Sequence, residues 1–146
     1  MLNMVSNYIP MSSPDIGIEE RKQILSTIKS GWFSQGKITK KFEERLSHYL
    51  SSNISVVNSG SSALLTALIA HGIKPNDNVV VPAFTFIASS SAPKMLGAKV
   101  LPADIDPETL NITPESIEKI VKKRKVKAVI VVDVAGLPVD LDPIIE

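Results

Sequence analysis

The chain has no cysteine in its 146 residues. That excludes a disulfide framework, a thiolate metal site and a cysteine nucleophile, and it suits a reducing interior. Excess charge is lacking too: a net charge of +1 with 21% charged residues provides no basic face for nucleic acid. The cationic cluster Lys122-Lys123-Arg124-Lys125 closes a predicted helix, where it complements the negative end of the dipole. The segment Met1 to Pro10 lacks the basic start and apolar core of a signal peptide. No apolar run reaches the roughly 20 residues that spanning a membrane requires. Internal repeats, low-complexity linkers and clusters of metal-binding side chains are missing, and so are the Walker and Rossmann glycine patterns. The expectation is a cytoplasmic protein without nucleic-acid or membrane partners. At 44% hydrophobic, the chain has the length and composition of one domain with a real core.

The most informative stretch present is Val56-Val57-Asn58-Ser59-Gly60-Ser61-Ser62-Ala63-Leu64. A β-branched run stops at serine and glycine, and an Ala/Leu-rich helix starts at once. Such a junction makes a phosphate cradle: the first N–H groups of the helix are unpaired, and the positive end of its dipole lies behind them. Gly60 lets backbone approach backbone, and Ser59, Ser61 and Ser62 add hydroxyls. An ordinary serine-capped helix start is the competing reading of these residues taken alone.

Upstream, Ser13-Pro14-Asp15 predicts a helix start, with Ile18, Leu25 and Ile28 on one side and Gly31 as the stop. Trp32 and Phe33 lie in a loop running to Gly36. A second helix follows Thr39, with Phe42, Leu46 and Leu50 as its buried stripe. From Ile54 onward, β-rich runs alternate with helical ones. Strands are predicted at Ile54–Asn58, Asn78–Pro82, Lys99–Ala103 and Lys127–Asp133, with helices to His71-Gly72, near Ala88–Leu96 and from Thr113. Alternation of this kind means βαβ units and a parallel sheet, and the continuously apolar runs fit strands covered on both faces. Pro93 predicts a kinked or late-starting helix. Asp142-Pro143 opens one more helix near the end of the chain. The organisation expected is an N-terminal helical segment over 1–52 and an incomplete α/β domain over 53–146.

Five blocks in this order resemble the sugar-aminotransferase branch of fold-type I pyridoxal-phosphate enzymes, the DegT/DnrJ/EryC1/StrS family. They are Ser30-Gly31-Trp32 through Gly36 with Phe42-Glu43; Asn58 through Leu64; Val81-Pro82-Ala83-Phe84-Thr85-Phe86-Ile87-Ala88; Gly97-Ala98 through Asp104-Ile105-Asp106 with Thr109-Leu110-Asn111-Ile112; and Gly136-Leu137-Pro138-Val139-Asp140-Leu141-Asp142. The resemblance implies an α/β fold, with N-terminal helices before the βαβ units of a mostly parallel sheet: a truncated large domain of that fold type. It implies pyridoxal 5'-phosphate as cofactor, with Gly60, Ser61 and Ser62 at its phosphate and Phe86 stacked on its ring. A core phenylalanine is the alternative for Phe86. Trp32 and Phe33 fall near the family's substrate mouth, or anchor the first helix. Asp133 stands where many relatives have histidine, and capping of the following turn is its simpler role.

The family's reaction moves an amino group from an amino acid to a nucleotide-linked keto sugar. It needs a lysine to hold the cofactor as a Schiff base and a carboxylate at the pyridine nitrogen. No lysine here sits in a matching motif, so no catalytic residue is assigned and the 146 residues alone are expected to be inactive. A fragment of a related sugar dehydratase, or a truncated or split-gene product serving as a binding or assembly module, are the other readings. Relatives are dimers with the active site at the interface. The resemblance therefore implies a homo-oligomer, or a second chain supplying the missing half. In the fold it implies, the strands at 78–82, 99–103 and 127–133 cluster together. Ile54–Asn58 lies to one side, left to self-associate or to pair with a strand foreign to it.

Overall fold

The computed structural model describes residue 10 and residues 12–145. The segment Met1 to Pro10 thus lies, apart from Pro10, outside the described residues. The chain divides into two units at Ser55–Val56.

The first unit holds α1 (Ile18–Ser30) and α2 (Lys37–Leu50). α1 begins later than the Ser13-Pro14-Asp15 signal suggests, because the Glu20 carboxylate reaches back to cap the Gly17 N–H at 2.8 Å. It ends at Gly31, where a φ of 69° requires the freedom of glycine. α2 begins earlier than Thr39. Gly36 precedes it for reasons of space: a Cβ there would come within 2.5 Å of the Trp32 indole nitrogen. The apolar stripe of α2 exists but is not buried, for Phe42 and Leu50 are each 51% exposed and no residue of either helix is buried.

The second unit is three-layered. Its sheet holds β1 (Asn78–Pro82), β2 (Lys99–Ala103) and β3 (Ala128–Val129), all parallel, in the order β2-β1-β3. β1 is central, and its valines alternate between faces. Val79 and Val81 join Leu68, Ile73, Ala92 and Ala98 on the side of α3 (Gly60–Ala70) and α4 (Ala88–Met95). Val80 joins Ala103, Ile112 and Ile117 on the side of α5 (Pro114–Val121), with Ile144 of α6 (Asp142–Ile145) packed against them. Thr113 caps α5 by accepting the Ser116 N–H, as its Thr-Pro-Glu start predicts. Pro93 is fully buried in α4, which ends two residues beyond it.

Two predicted strands change. Ile54–Asn58 forms no strand and takes no place in the sheet; the Ile54 N–H donates instead to Ser47 Oγ at 3.1 Å, and Ile54 and Val56 are only half-buried. The strand predicted at Lys127–Asp133 shrinks to Ala128–Val129, and Pro82 explains why. The carbonyls of Asn78 and Val80 face β3, accepting from Lys127 and Ile130 at 2.9 Å each, while Ala83 donates to Ala103 on the β2 side. By this alternation Pro82 faces β3 with no N–H to offer, and the ladder stops.

Candidate functional site

α3 starts where the sequence places the cradle. Ser59 is extended (φ −162°, ψ 159°), and its Oγ accepts the Ser62 N–H at 3.1 Å while donating to Ser62 Oγ at 3.1 Å. The Ala63 N–H closes the first helical bond on the Ser59 carbonyl at 3.0 Å. The Ser62 N–H is therefore spent on the cap. The N–H groups of Gly60 and Ser61 have no partner among the described residues, and they carry the positive end of the helix dipole. The reason for Gly60 differs from the one its sequence context suggests. It has no positive φ, and a Cβ there would meet nothing within 4 Å. Open space, rather than close-packed backbone, lies where its Cβ would be.

Phe86 sits between β1 and α4 and is 75% exposed, so it belongs to neither core cluster and the core reading is set aside. The turn that carries it is pinned: Thr85 Oγ1 and Ser89 Oγ share a hydrogen bond at 2.8 Å, and the Phe86 carbonyl accepts the Ser89 N–H at 3.1 Å. Phe84 and Ile87 beside it are also exposed. The cradle and this turn lie at one end of the unit. α3 and α4 pack on each other, and their C-terminal ends meet: Asn76 donates to the Gly97 carbonyl at 2.9 Å, and Gly97 lies against Pro75. Both helices thus run back toward the amino end of β1, which puts both N-termini at its carboxyl end. Parallel α/β sheets bind ligands at that end.

Trp32 and Phe33 are on the first unit, 62% and 75% exposed. The Trp32 indole donates to the Gln35 carbonyl at 3.2 Å and so staples its own loop. Asp133 caps the turn after β3, its Oδ1 accepting the Val139 N–H at 2.9 Å. Asp106 Oδ1 gathers the N–H groups of Thr109 (2.8 Å) and Glu108 (2.9 Å) and the Thr109 hydroxyl (3.1 Å). Those backbone bonds, Thr109 first, hold its carboxyl below the ordinary carboxylate value. Among the described residues no group of three or more His, Asp or Glu could hold a metal ion, and no helix is long and apolar enough to cross a membrane. One residue the sequence marked without a role is Asn111, whose buried amide joins two loops. A polar residue between Leu110 and Ile112 was its only signal.

The model of the DegT/DnrJ/EryC1/StrS aminotransferase family matches residues 14–146. The chain belongs to this family. Its DegT/DnrJ/EryC1/StrS relatives include the spore coat polysaccharide biosynthesis protein SpsC of Bacillus subtilis, 37% identical over 99% of the chain and 37% of the relative. Among solved structures, the PLP form of Spr1654 from Streptococcus pneumoniae, assigned as a sugar aminotransferase, superposes with a TM-score of 0.83 at 34% identity, over 94% of this chain and 35% of that one. An aminotransferase from Psychrobacter cryohalolentis superposes with a TM-score of 0.83 at 33% identity, over 93% and 35%. The mixed helix and parallel-sheet fold is thus that of the family's solved members, and the chain spans about a third of their length. Every lysine of this DegT/DnrJ/EryC1/StrS chain is exposed.

Proposed function

We propose that Gly60, Ser61, Ser62 and Phe86 hold pyridoxal 5'-phosphate, and that the whole protein moves an amino group from an amino acid to a nucleotide-linked keto sugar. The observation that carries this is the pair of unpartnered N–H groups on Gly60 and Ser61, at the same end of the unit as the exposed ring of Phe86. The names of SpsC, a polysaccharide biosynthesis protein, and of Spr1654, assigned as a sugar aminotransferase, support a sugar substrate.

The residues fit the cofactor. Gly60 and Ser61 donate N–H groups to phosphate oxygens with the α3 dipole behind them, and the Ser61 and Ser62 hydroxyls add donors. Space left open by the missing Cβ of Gly60 admits the phosphate. Phe86 offers a flat face to the ring; a part in substrate binding for Trp32 and Phe33 rests on the family resemblance. When bound, the cofactor supplies an electron sink for the moving amino group. In the cell this is a cytoplasmic reaction, run by a homo-oligomer or with a second chain.

For these 146 residues alone, one observation favours binding without catalysis. A lysine that bonds to the cofactor is activated by desolvation, and every lysine here is exposed.

Titration with inorganic phosphate, followed by amide NMR, tests the cradle. Gly60 and Ser61 should move first, with affinity no better than about millimolar; still resonances there, with others shifting, would refute the assignment. Pyridoxal phosphate should bind at the same amides and also move Phe86. Borohydride reduction should then leave no stoichiometric label, whereas one lysine labelled at one equivalent would overturn the inactive reading.

A further inference from the structure

Among the described residues the buried polar side chains are Ser89, Asn111 and Ser116. The two serines bond within their own turns. Asn111 reaches across the chain: its Nδ2 donates to the Leu137 carbonyl at 3.0 Å, and its Oδ1 accepts the Val134 N–H at 3.0 Å. Val134 and Leu137 are the two ends of a 3₁₀ turn in which Ala135 (φ 53°) and Gly136 (φ 82°) are left-handed. Such a turn, with a non-glycine residue in that region, needs support from outside. Only a side chain that donates and accepts at once can supply both bonds.

Asn111 is itself held. Leu110 before it is left-handed (φ 61°), the Asn111 carbonyl accepts the Asp106 N–H at 2.9 Å, and Ile112 bridges to Ile105. The turn it clamps lies where ligands bind. Val80 of β1 pairs with Val129 of β3. β1 and β3 are parallel neighbours, and the chain after β1 carries Phe84–Phe86 while the chain after β3 carries Asp133, so the clamped turn follows the carboxyl end of one strand as the Phe84–Phe86 segment follows that of the next.

We propose that Asn111 is a positioning residue: through its two-point clamp on the turn from Asp133 to Val139, it holds one wall of the site next to Phe86. Its part in cofactor binding rests on the reading of Phe86 given above; the clamp itself does not.

Asn111→Asp and Asn111→Leu test this without any ligand. A protonated aspartic acid donates and accepts as the amide does, but an ionised one turns an acceptor toward the Leu137 carbonyl, and their repulsion drives the carboxylate off the turn, taking with it the acceptor for the Val134 N–H. Burial raises the pKa of the introduced acid, and the ionisable groups on the joined segments are carboxylates as well: Asp104, Asp106 and Glu108 on one side, Asp133 and Asp140 on the other. At about pH 8, Asn111→Asp should lose protection from hydrogen exchange at Val134 by about tenfold or more, and the Phe84 and Phe86 amides should shift. At about pH 5 both should return to wild-type values measured at that pH. Asn111→Leu should lose the protection at both pH values.

Unchanged protection at Val134 in Asn111→Leu would overturn the clamp. Lost protection with Phe84 and Phe86 unmoved would overturn the wall. If Asn111→Leu fails to fold, the pH rescue of Asn111→Asp decides, and its failure at low pH overturns the proposal. Absence of pyridoxal phosphate binding to the wild type would sink the proposed function and leave these results standing.

Discussion

Ser59 shows how few groups at the cradle are free for a ligand. Its hydroxyl consumes the Ser62 N–H as a cap, which leaves Gly60 and Ser61 as the backbone donors. Phe86 is the other half of the candidate site, and its 75% exposure separates binding from stability. Phe86→Ala should therefore leave unfolding within about 0.5 kcal/mol of wild type while weakening pyridoxal phosphate binding; a large stability loss in denaturant titration would mean that the ring packs after all. Asp106 gives a pH prediction of definite sign. Its carboxyl is held below the ordinary value by N–H groups of the folded turn, so the ionised form belongs to the fold. The stabilisation is present at neutral pH and is lost as pH falls through the lowered folded value, below about pH 4. The stability difference between wild type and Asp106→Asn should shrink on acidification, read by thermal melts across that range.

Among the elements, β1 organises the second unit. Its three valines are buried because both faces are covered, and the alternation of Val79, Val80 and Val81 assigns α3 and α4 to one side of the sheet and α5 to the other. Pro82 then ends the pairing with β3, so the turn after β3 is held by Asn111 and Asp133 instead of by a ladder. Pro82→Val should restore a donor on that side. The amide created at position 82 should be protected from exchange, and the β1–β3 pairing should lengthen. Free exchange at that amide would show that something other than the missing N–H stops the strand.

For the whole molecule, the described sheet leaves an unpaired edge on β2 and on β3, each of which pairs on one side only. Apolar side chains are exposed as well, among them Ile18, Ile38, Phe42 and Phe84. Open edges and apolar surface drive association, and closed symmetric oligomers are its commonest form. The isolated chain should sediment at micromolar concentration as an oligomer, and a sharp monomer boundary over that range would reject this.

Much of this was legible in local patterns. β1 and β2 were readable from their apolar runs, α5 from Thr113-Pro114-Glu115, and the start of α3 from the change of period at Ser59-Gly60, because propensity, capping and glycine act within a few residues of where they are written. The family could be read from five blocks in order. What folding decided involves partners distant in sequence. The run Ile54–Asn58 has the residues of a strand, yet a strand exists only where a neighbouring strand pairs with it, and the described sheet holds β1, β2 and β3 alone. The stripe of α2 has helical period, but burial requires a surface to pack on, and Phe42 stays half-exposed. Asn111 looks like any loop asparagine until the chain brings Val134 and Leu137, more than twenty residues on, within 3.0 Å of its amide.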